Sequence, residues 1–239
     1  MTSKSKTVIA FDLYGTLLST ESIAHQLAKT YGDEKAESLA ALWRQYQLEY
    51  TWRINSMGEY KPFDEITRNA LRHAAAERRL TLSTRDAEDF MRSYDELRAF
   101  PETSRALELL EGEDDKIEAC IFTNGTDKMV ANSLRTSPDL APHADKFKSL
   151  ITVHETRCYK PDKRTYAHLV EQTGKKGDAR SVWVVSANPF DVVGAKAAGL
   201  RAAFIDRPGR GWIDRLDDIH APSLIVRGID EAVKSILNH

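Results

Sequence analysis

The amino-acid sequence predicts a doubly wound α/β fold, a parallel-sheet core with a helical cap inserted after its first strand. Three observations predict it. Residues Thr7 to Phe11 (TVIAF) form an unbroken apolar, β-rich run that stops at Asp12, as a strand buried on both faces would. From Glu21 to about Arg98 the apolar residues recur only at helical spacing. After Phe100-Pro101 short apolar runs alternate with helical ones to the end of the chain, the pattern of right-handed βαβ units.

The elements follow in order. TVIAF is the first strand, and Gly15 supplies a turn just beyond it. The helical stretch includes AESLAALWRQYQLEYTW, RNALRHAAAERR and AEDFMRSYDELR. The second strand is Ile117 to Phe122, with a helix from about Asp127; the third is Ser149 to Val153, with a helix from about Lys163. The fourth, Ser181 to Val185, leads into VVGAKAAG, where Gly199 marks a helix stop. RAAFI, SLIV and a last helix, GIDEAVKSIL, complete the set. The boundaries that follow are 1–18 and 99–239 for the core and 19–98 for the cap.

Composition narrows the function. The 239 residues are 41% hydrophobic, and 34 basic residues against 36 acidic give a net charge of -2 with no basic stripe. Binding to nucleic acid or to a membrane surface therefore has no support. Cys120 and Cys158 have neither disulfide-framework nor metal-ligand spacing, as expected of reduced thiols in the cytoplasm. Met1 to Lys6 is short and polar, with neither the apolar stretch of a signal peptide nor the length of a membrane span.

In open α/β sheets the ligand site lies beyond the carboxyl ends of the strands, so polar residues directly after each strand are candidates. Asp12 leads them. An Asp at a strand end is commonly a turn residue. In FDLYGT it lies at the mouth of the sheet, where following backbone N–H groups can meet an anion and Thr16 can orient the carboxylate as a nucleophile. Thr123 and Asn124 end the second strand and read equally as a helix cap before Asp127. Lys160, ordinarily a solvent-exposed residue, would favour the charged form of Asp12 if brought beside it. Tyr166 would steady Lys160 or a water, or simply pack. Ser186, Asn188 and Asp191 share one loop, and such clusters often cap the next helix, here opening at Pro189. On periodicity alone Leu48 and Phe63 are core residues. Arg44 reads as a solvated surface charge, and Trp43, Tyr46, Tyr50 and Trp52 as cap packing or a subunit contact. Seven dispersed histidines lack ligand spacing.

FDLYGT, the helical cap, FTNG, YKPDKRTY and SANPFDVVGAKAAG, in this order over nearly the whole chain, resemble the haloacid dehalogenase superfamily. ALWRQYQLEYTW and SANPFD are most similar to its (S)-2-haloacid dehalogenase (type II L-2-haloacid dehalogenase) subgroup. The resemblance implies hydrolysis of short (S)-2-haloalkanoic acids to (R)-2-hydroxyalkanoic acids through an ester on Asp12. It implies catalytic roles for Asp12, Thr16, Arg44, Lys160 and Asp191, the last as base for the hydrolytic water. It assigns substrate or halide contacts to Leu13, Tyr14, Leu48, Thr123, Asn124, Tyr166, Ser186, Asn188 and Phe190. Thr123 stands where the subgroup usually has Ser, and Phe190 where it often has Trp. Phosphatases of the superfamily carry a second Asp where this chain has Tyr14, and magnesium-binding acids where it has Ser186 and Ala187. No metal and no cofactor is therefore expected. The partners implied are the haloacid and its halide, and, since related caps often pair, a second copy of the chain. A magnesium-dependent phosphatase and a non-catalytic anion-binding member are the rival readings.

Overall fold

Val8 to Phe11 carry no polar side chain, and a strand without a polar face belongs in the middle of a sheet covered on both sides. The computed structural model, which describes residues 6–239, puts them there. The lead Met1 to Lys6, Lys6 apart, lies outside the described residues. The strands are β1 (Thr7–Phe11), β2 (Ile117–Thr123), β3 (Ser149–Thr152), β4 (Val182–Ser186), β5 (Arg201–Ile205) and β6 (Leu224–Val226). They form one sheet in the order β3-β2-β1-β4-β5-β6, with every pairing parallel. The chain winds one way from β1 to β3 and the other way from β4 to β6, so the switch lies between β1 and β4. Phe11 is in register with Ile121 on one side and Val185 on the other. One step further, Asp12, Phe122 and Ser186 therefore stand level at the carboxyl edge of three adjacent strands.

Between β1 and β2 lie the helices α1 (Ala24–Tyr31), α2 (Asp33–Ser56), α3 (Phe63–Glu77) and α4 (Thr84–Ser93), then a 3₁₀ turn at Tyr94–Glu96. The chain enters and leaves this helical segment side by side. Leu18 and Ala99 form an antiparallel bridge, the Ser19 N–H donates to Arg98 O (2.8 Å), and the Phe100 N–H donates to Leu17 O (3.0 Å). Helix α2 buries Ala36, Leu39, Ala40, Trp43, Gln47, Thr51 and Ile54, a stripe at spacings of three and four. It packs between α1 and α3. Among the described residues no helix is long and apolar enough to cross a membrane.

The remaining helices are α5 (Thr103–Glu108), α6 (Asp127–Thr136), α7 (Lys163–Gln172), α8 (Pro189–Ala197) and α9 (Ile229–Leu237). Helix α5 was not anticipated, because six residues are too few to display a helical period. Helix α8 ends as its sequence implied. Gly199 takes φ +84°, its N–H donates to Lys196 O, and the Leu200 N–H donates to Ala195 O. These two bonds satisfy the last carbonyls in the manner of a Schellman motif. Both cysteines are free, and both are buried, Cys120 in β2 and Cys158 in the loop before Lys160. Burial pushes the Cys120 thiol up to about 12.

Helix α7 packs on α8 at Gly194, where the Tyr166 ring lies so close that an added methyl carbon would come within 2.3 Å of its hydroxyl oxygen. Gly194→Ala is expected to destabilise the fold. Overpacking of ~1–3 kcal/mol outweighs a helix-propensity gain of up to ~1 kcal/mol. Urea unfolding would measure it; a more stable variant would mean that Tyr166 is free to move.

Candidate active site

Asp12 is 6% exposed at the tip of β1. Gly15, at φ +87°, turns the chain directly after it. Within that turn the amides of Gly15, Thr16, Leu17 and Leu18 are consumed by Leu18 O and Leu13 O. Only those of Leu13 and Tyr14 can serve an anion. The Asp12 carboxylate is held from all sides. Oδ2 accepts from Thr16 Oγ1 (2.7 Å) and Asn188 Nδ2 (2.7 Å), with Ser186 Oγ at 3.5 Å, while Oδ1 accepts from Lys160 Nζ (3.2 Å).

Lys160 is 1% exposed, so it is no surface lysine. Its ammonium donates to Asp12, to Asp191 Oδ2 (2.9 Å) and to Phe122 O (2.6 Å), and lies 4.0 Å from the centre of the Phe122 ring. Asn124 fixes the backbone beneath it by accepting the Lys160 N–H (3.0 Å). Asp191, in the first turn of α8, is fully buried. Burial pushes its carboxyl up from the ordinary value and the Asp12 carboxylate adds to this, while the Lys160 ammonium pulls it back. Its other oxygen accepts from Tyr166 Oη (2.9 Å). Tyr166 thus holds Asp191 directly and reaches Lys160 only through it. Its own pKa is raised by burial and by the Asp191 carboxylate, so it remains a donor.

Arg44 reaches the site from α2. Nη2 donates to Tyr14 O (3.0 Å) and to Asn188 Oδ1 (3.3 Å), and Nη1 donates to Gln47 Oε1 (2.6 Å). Asn188 precedes α8 but does not use its side chain as a cap; the amide spans Asp12 and Arg44 instead. Ser186 Oγ accepts the Asn188 N–H (3.1 Å). Thr123 and Asn124 are not caps of α6 either: Thr126 is, accepting from the Met129 N–H. Thr123 Oγ1 accepts the Gly125 N–H (3.1 Å).

The aromatic wall is Tyr14, with ring centres 5.9 Å from Phe63 and 5.4 Å from Tyr94. The Tyr14 hydroxyl is buried without a hydrogen-bond partner among the described residues. The Leu13 side chain lies fully buried in the hydrophobic core, which leaves its backbone N–H to face the site. Leu48 is half-buried on α2. Phe190, also half-buried, meets Trp52 edge-on at 5.5 Å. Trp43 is buried and bonds Thr67 O, while Tyr46 and Tyr50 pack on His73.

Two holding residues escaped the sequence reading. Asn55, at the far end of α2, brackets the backbone next to Lys160. Its Nδ2 donates to Tyr159 O (2.7 Å) and its Oδ1 accepts the Tyr159 N–H (2.9 Å). Arg207 straps the turn after Asp12 through Thr16 O (2.8 Å), itself held by Glu102 (2.8 Å). Arg207 stands two residues beyond β5, so extending the strand-end rule to that strand would have found it. A magnesium ion does not fit this donor set. The tip of β1 offers it one carboxylate, already against an ammonium, and no three acidic, His or Cys side chains converge among the described residues.

Known proteins resemble this chain in sequence and in fold. The family model of haloacid dehalogenase-like hydrolases matches residues 6–199. Haloacetate dehalogenase H-2 of Moraxella sp. (strain B) is 35% identical over 201 residues, covering 84% of this chain and 86% of that one. (S)-2-haloacid dehalogenase H-109 of Pseudomonas putida is 32% identical over 204 residues, covering 84% and 86%. The structure of L-2-haloacid dehalogenase from Xanthobacter autotrophicus with chloropropionic acid covalently bound superimposes with a TM-score of 0.85 at 26% identity, over 98% of this chain and 99% of that one.

Lys160→Met would leave two buried carboxylates without their ammonium. The expected loss at neutral pH is about 3–5 kcal/mol in urea unfolding. In the variant the Asp191 carboxyl, already raised by burial, rises further. The folded state then holds its proton more tightly than the unfolded chain does. Stability should therefore recover as pH falls and drop as pH rises through the raised value. A loss independent of pH would contradict this account of the cluster.

Proposed function

The chain belongs to the haloacid dehalogenase-like hydrolases, and from that premise we propose that it is a carbon–halide hydrolase acting on short (S)-2-haloalkanoic acids. The observation that carries this reading is the Asn188 side chain, which joins Asp12 to Arg44 by hydrogen bonds of 2.7 and 3.3 Å. A carboxylate nucleophile and a cation for the anionic substrate thereby share one site. Two carboxylates, Asp12 and Asp191, balance two cations, Lys160 and Arg44. Such a site suits a monoanion that leaves as a halide; a phosphate dianion would find it short of positive charge. Tyr14 in place of a second acid, and the poor fit to magnesium, weigh in the same direction.

In the first step Asp12 attacks C2 from the side opposite the halogen. The C–halogen bond breaks, the halide departs toward Arg44 and Asn124, and the carbon inverts. Thr123 and the amides at the Asp12 turn receive the substrate carboxylate, and Tyr14, Leu48 and Phe190 surround the carbon chain. In the second step water, losing its proton to Asp191, attacks the aspartyl carbonyl carbon. Product leaves as the (R)-2-hydroxyacid and Asp12 is restored. Burial raises the proton affinity of Asp191, which suits it to this task. Splitting the displacement replaces attack by water with attack by a positioned carboxylate. The chloropropionic acid bound covalently in the relative from Xanthobacter autotrophicus supports a covalent intermediate. The same reading takes 1–18 and 99–239 as the core and 19–98 as a cap closed over Asp12, in a cytoplasmic protein that pairs through its cap.

Asp12→Asn should abolish halide release while leaving the unfolding midpoint near that of the wild type. In a single turnover in heavy-oxygen water, label should appear in the Asp12 carboxylate before it appears in product. Label entering product directly would exclude the ester. Turnover of an aryl phosphate that disappears on chelation would favour a phosphatase instead.

A further inference from the structure

Arg44 has no carboxylate partner among the described ion pairs; it donates to three neutral oxygens, of Gln47, Tyr14 and Asn188, and lies beside the neutral Tyr94 hydroxyl. The shortest of these bonds is to Gln47, a fully buried amide in the apolar stripe of α2. The orientation of that amide is forced. Thr67 Oγ1 has a single hydrogen, which it gives to Phe63 O (2.7 Å). Toward Gln47 Nε2 (2.7 Å) it can only accept. Gln47 Oε1 therefore points the other way, where it takes Arg44 Nη1 and the Tyr94 hydroxyl (3.2 Å). A relay running from α3 through Gln47 aims the guanidinium, and every member of it is uncharged.

We infer that Gln47 is a positioning residue for anion capture, holding Arg44 with a dipole so that its full positive charge is left for a small monoanion, the haloacid carboxylate or the departing halide. A carboxylate at this position would hold the same hydrogen bond equally well and cancel the charge. An apolar side chain would leave the charge but release the aim. The inference rests on the dehalogenase reading for the identity of the anion, and its test is chosen so that the two fail separately.

The test compares Gln47→Glu and Gln47→Met with the wild type in three measurements: bromide affinity by tryptophan fluorescence, kcat and KM for halide release from 2-chloropropanoate, and the thermal midpoint. Gln47→Glu is expected to fold and to weaken bromide binding about tenfold or more, with a matching rise in KM, because an adjacent opposite charge competes with the anion. Gln47→Met, which keeps the charge, is expected to lose about threefold, the low end of what one hydrogen bond contributes net. Bromide affinity and KM unchanged in Gln47→Glu would overturn the inference. If that variant does not fold, unchanged values in Gln47→Met would do the same. Bromide binding needs no turnover. A wild type that binds bromide but releases no halide from haloacids would sink the dehalogenase reading and leave the role of Gln47 still measurable.

Discussion

Lys160 sits 1% exposed with its ammonium among two carboxylates and a strand-end carbonyl, and the candidate site depends on that one buried charge. Each of its three hydrogens goes to a different piece of chain: Asp12 at the end of β1, Phe122 in β2, and Asp191 at the start of α8. An ammonium in the interior is tolerated only when its donors are satisfied and its charge is met. The positions of these three elements are therefore coupled. Two carboxylates so close together would repel without it. Such a cluster is a poor source of stability, since desolvation consumes most of the attraction, but it defines where the Asp12 carboxylate must be.

Helix α2 supplies the second constraint. Arg44 near its middle touches the Asp12 turn and Asn188, while Asn55 at its end grips the backbone of Tyr159, next to Lys160. Eleven residues make just over three whole turns, so both side chains leave the same face about 16 Å apart. One rigid helix therefore registers the cationic group and the lysine loop against each other. The aromatic rings of Phe63, Tyr14 and Tyr94 pack on one another beside it.

Polar residues in this chain depart from their usual local duties at the site. Asn188 stands at the N-cap position of α8 yet turns its amide to Asp12 and Arg44. Asn124 supports Lys160 instead of capping α6, and Thr126 takes the cap. Tyr166, deep between α7 and α8, orients Asp191. Each is a local preference overridden by a partner remote in sequence.

By itself the sequence determined the alternation of strands and helices, the parallel sheet, the helical insertion and the strand-end location of Asp12; Lys160 and Asp191 it placed only in the segments that follow β3 and β4. It could do so because periodicity and strand ends are local properties, written in neighbouring residues. The resemblance added Arg44, which no local rule distinguishes from a surface charge. Only the tertiary structure decided that the Leu13 side chain packs into the core, that Tyr166 bonds Asp191, that Gln47 bonds Arg44, that Asn55 brackets Tyr159, and that Arg207 straps the turn after Asp12. Those roles are made of hydrogen bonds between side chains and backbone groups brought together from distant parts of the chain. A polar residue in an apolar stripe, such as Gln47, signals in sequence that a buried partner must exist; which partner it is depends on the packing of α2 against α3 and the sheet.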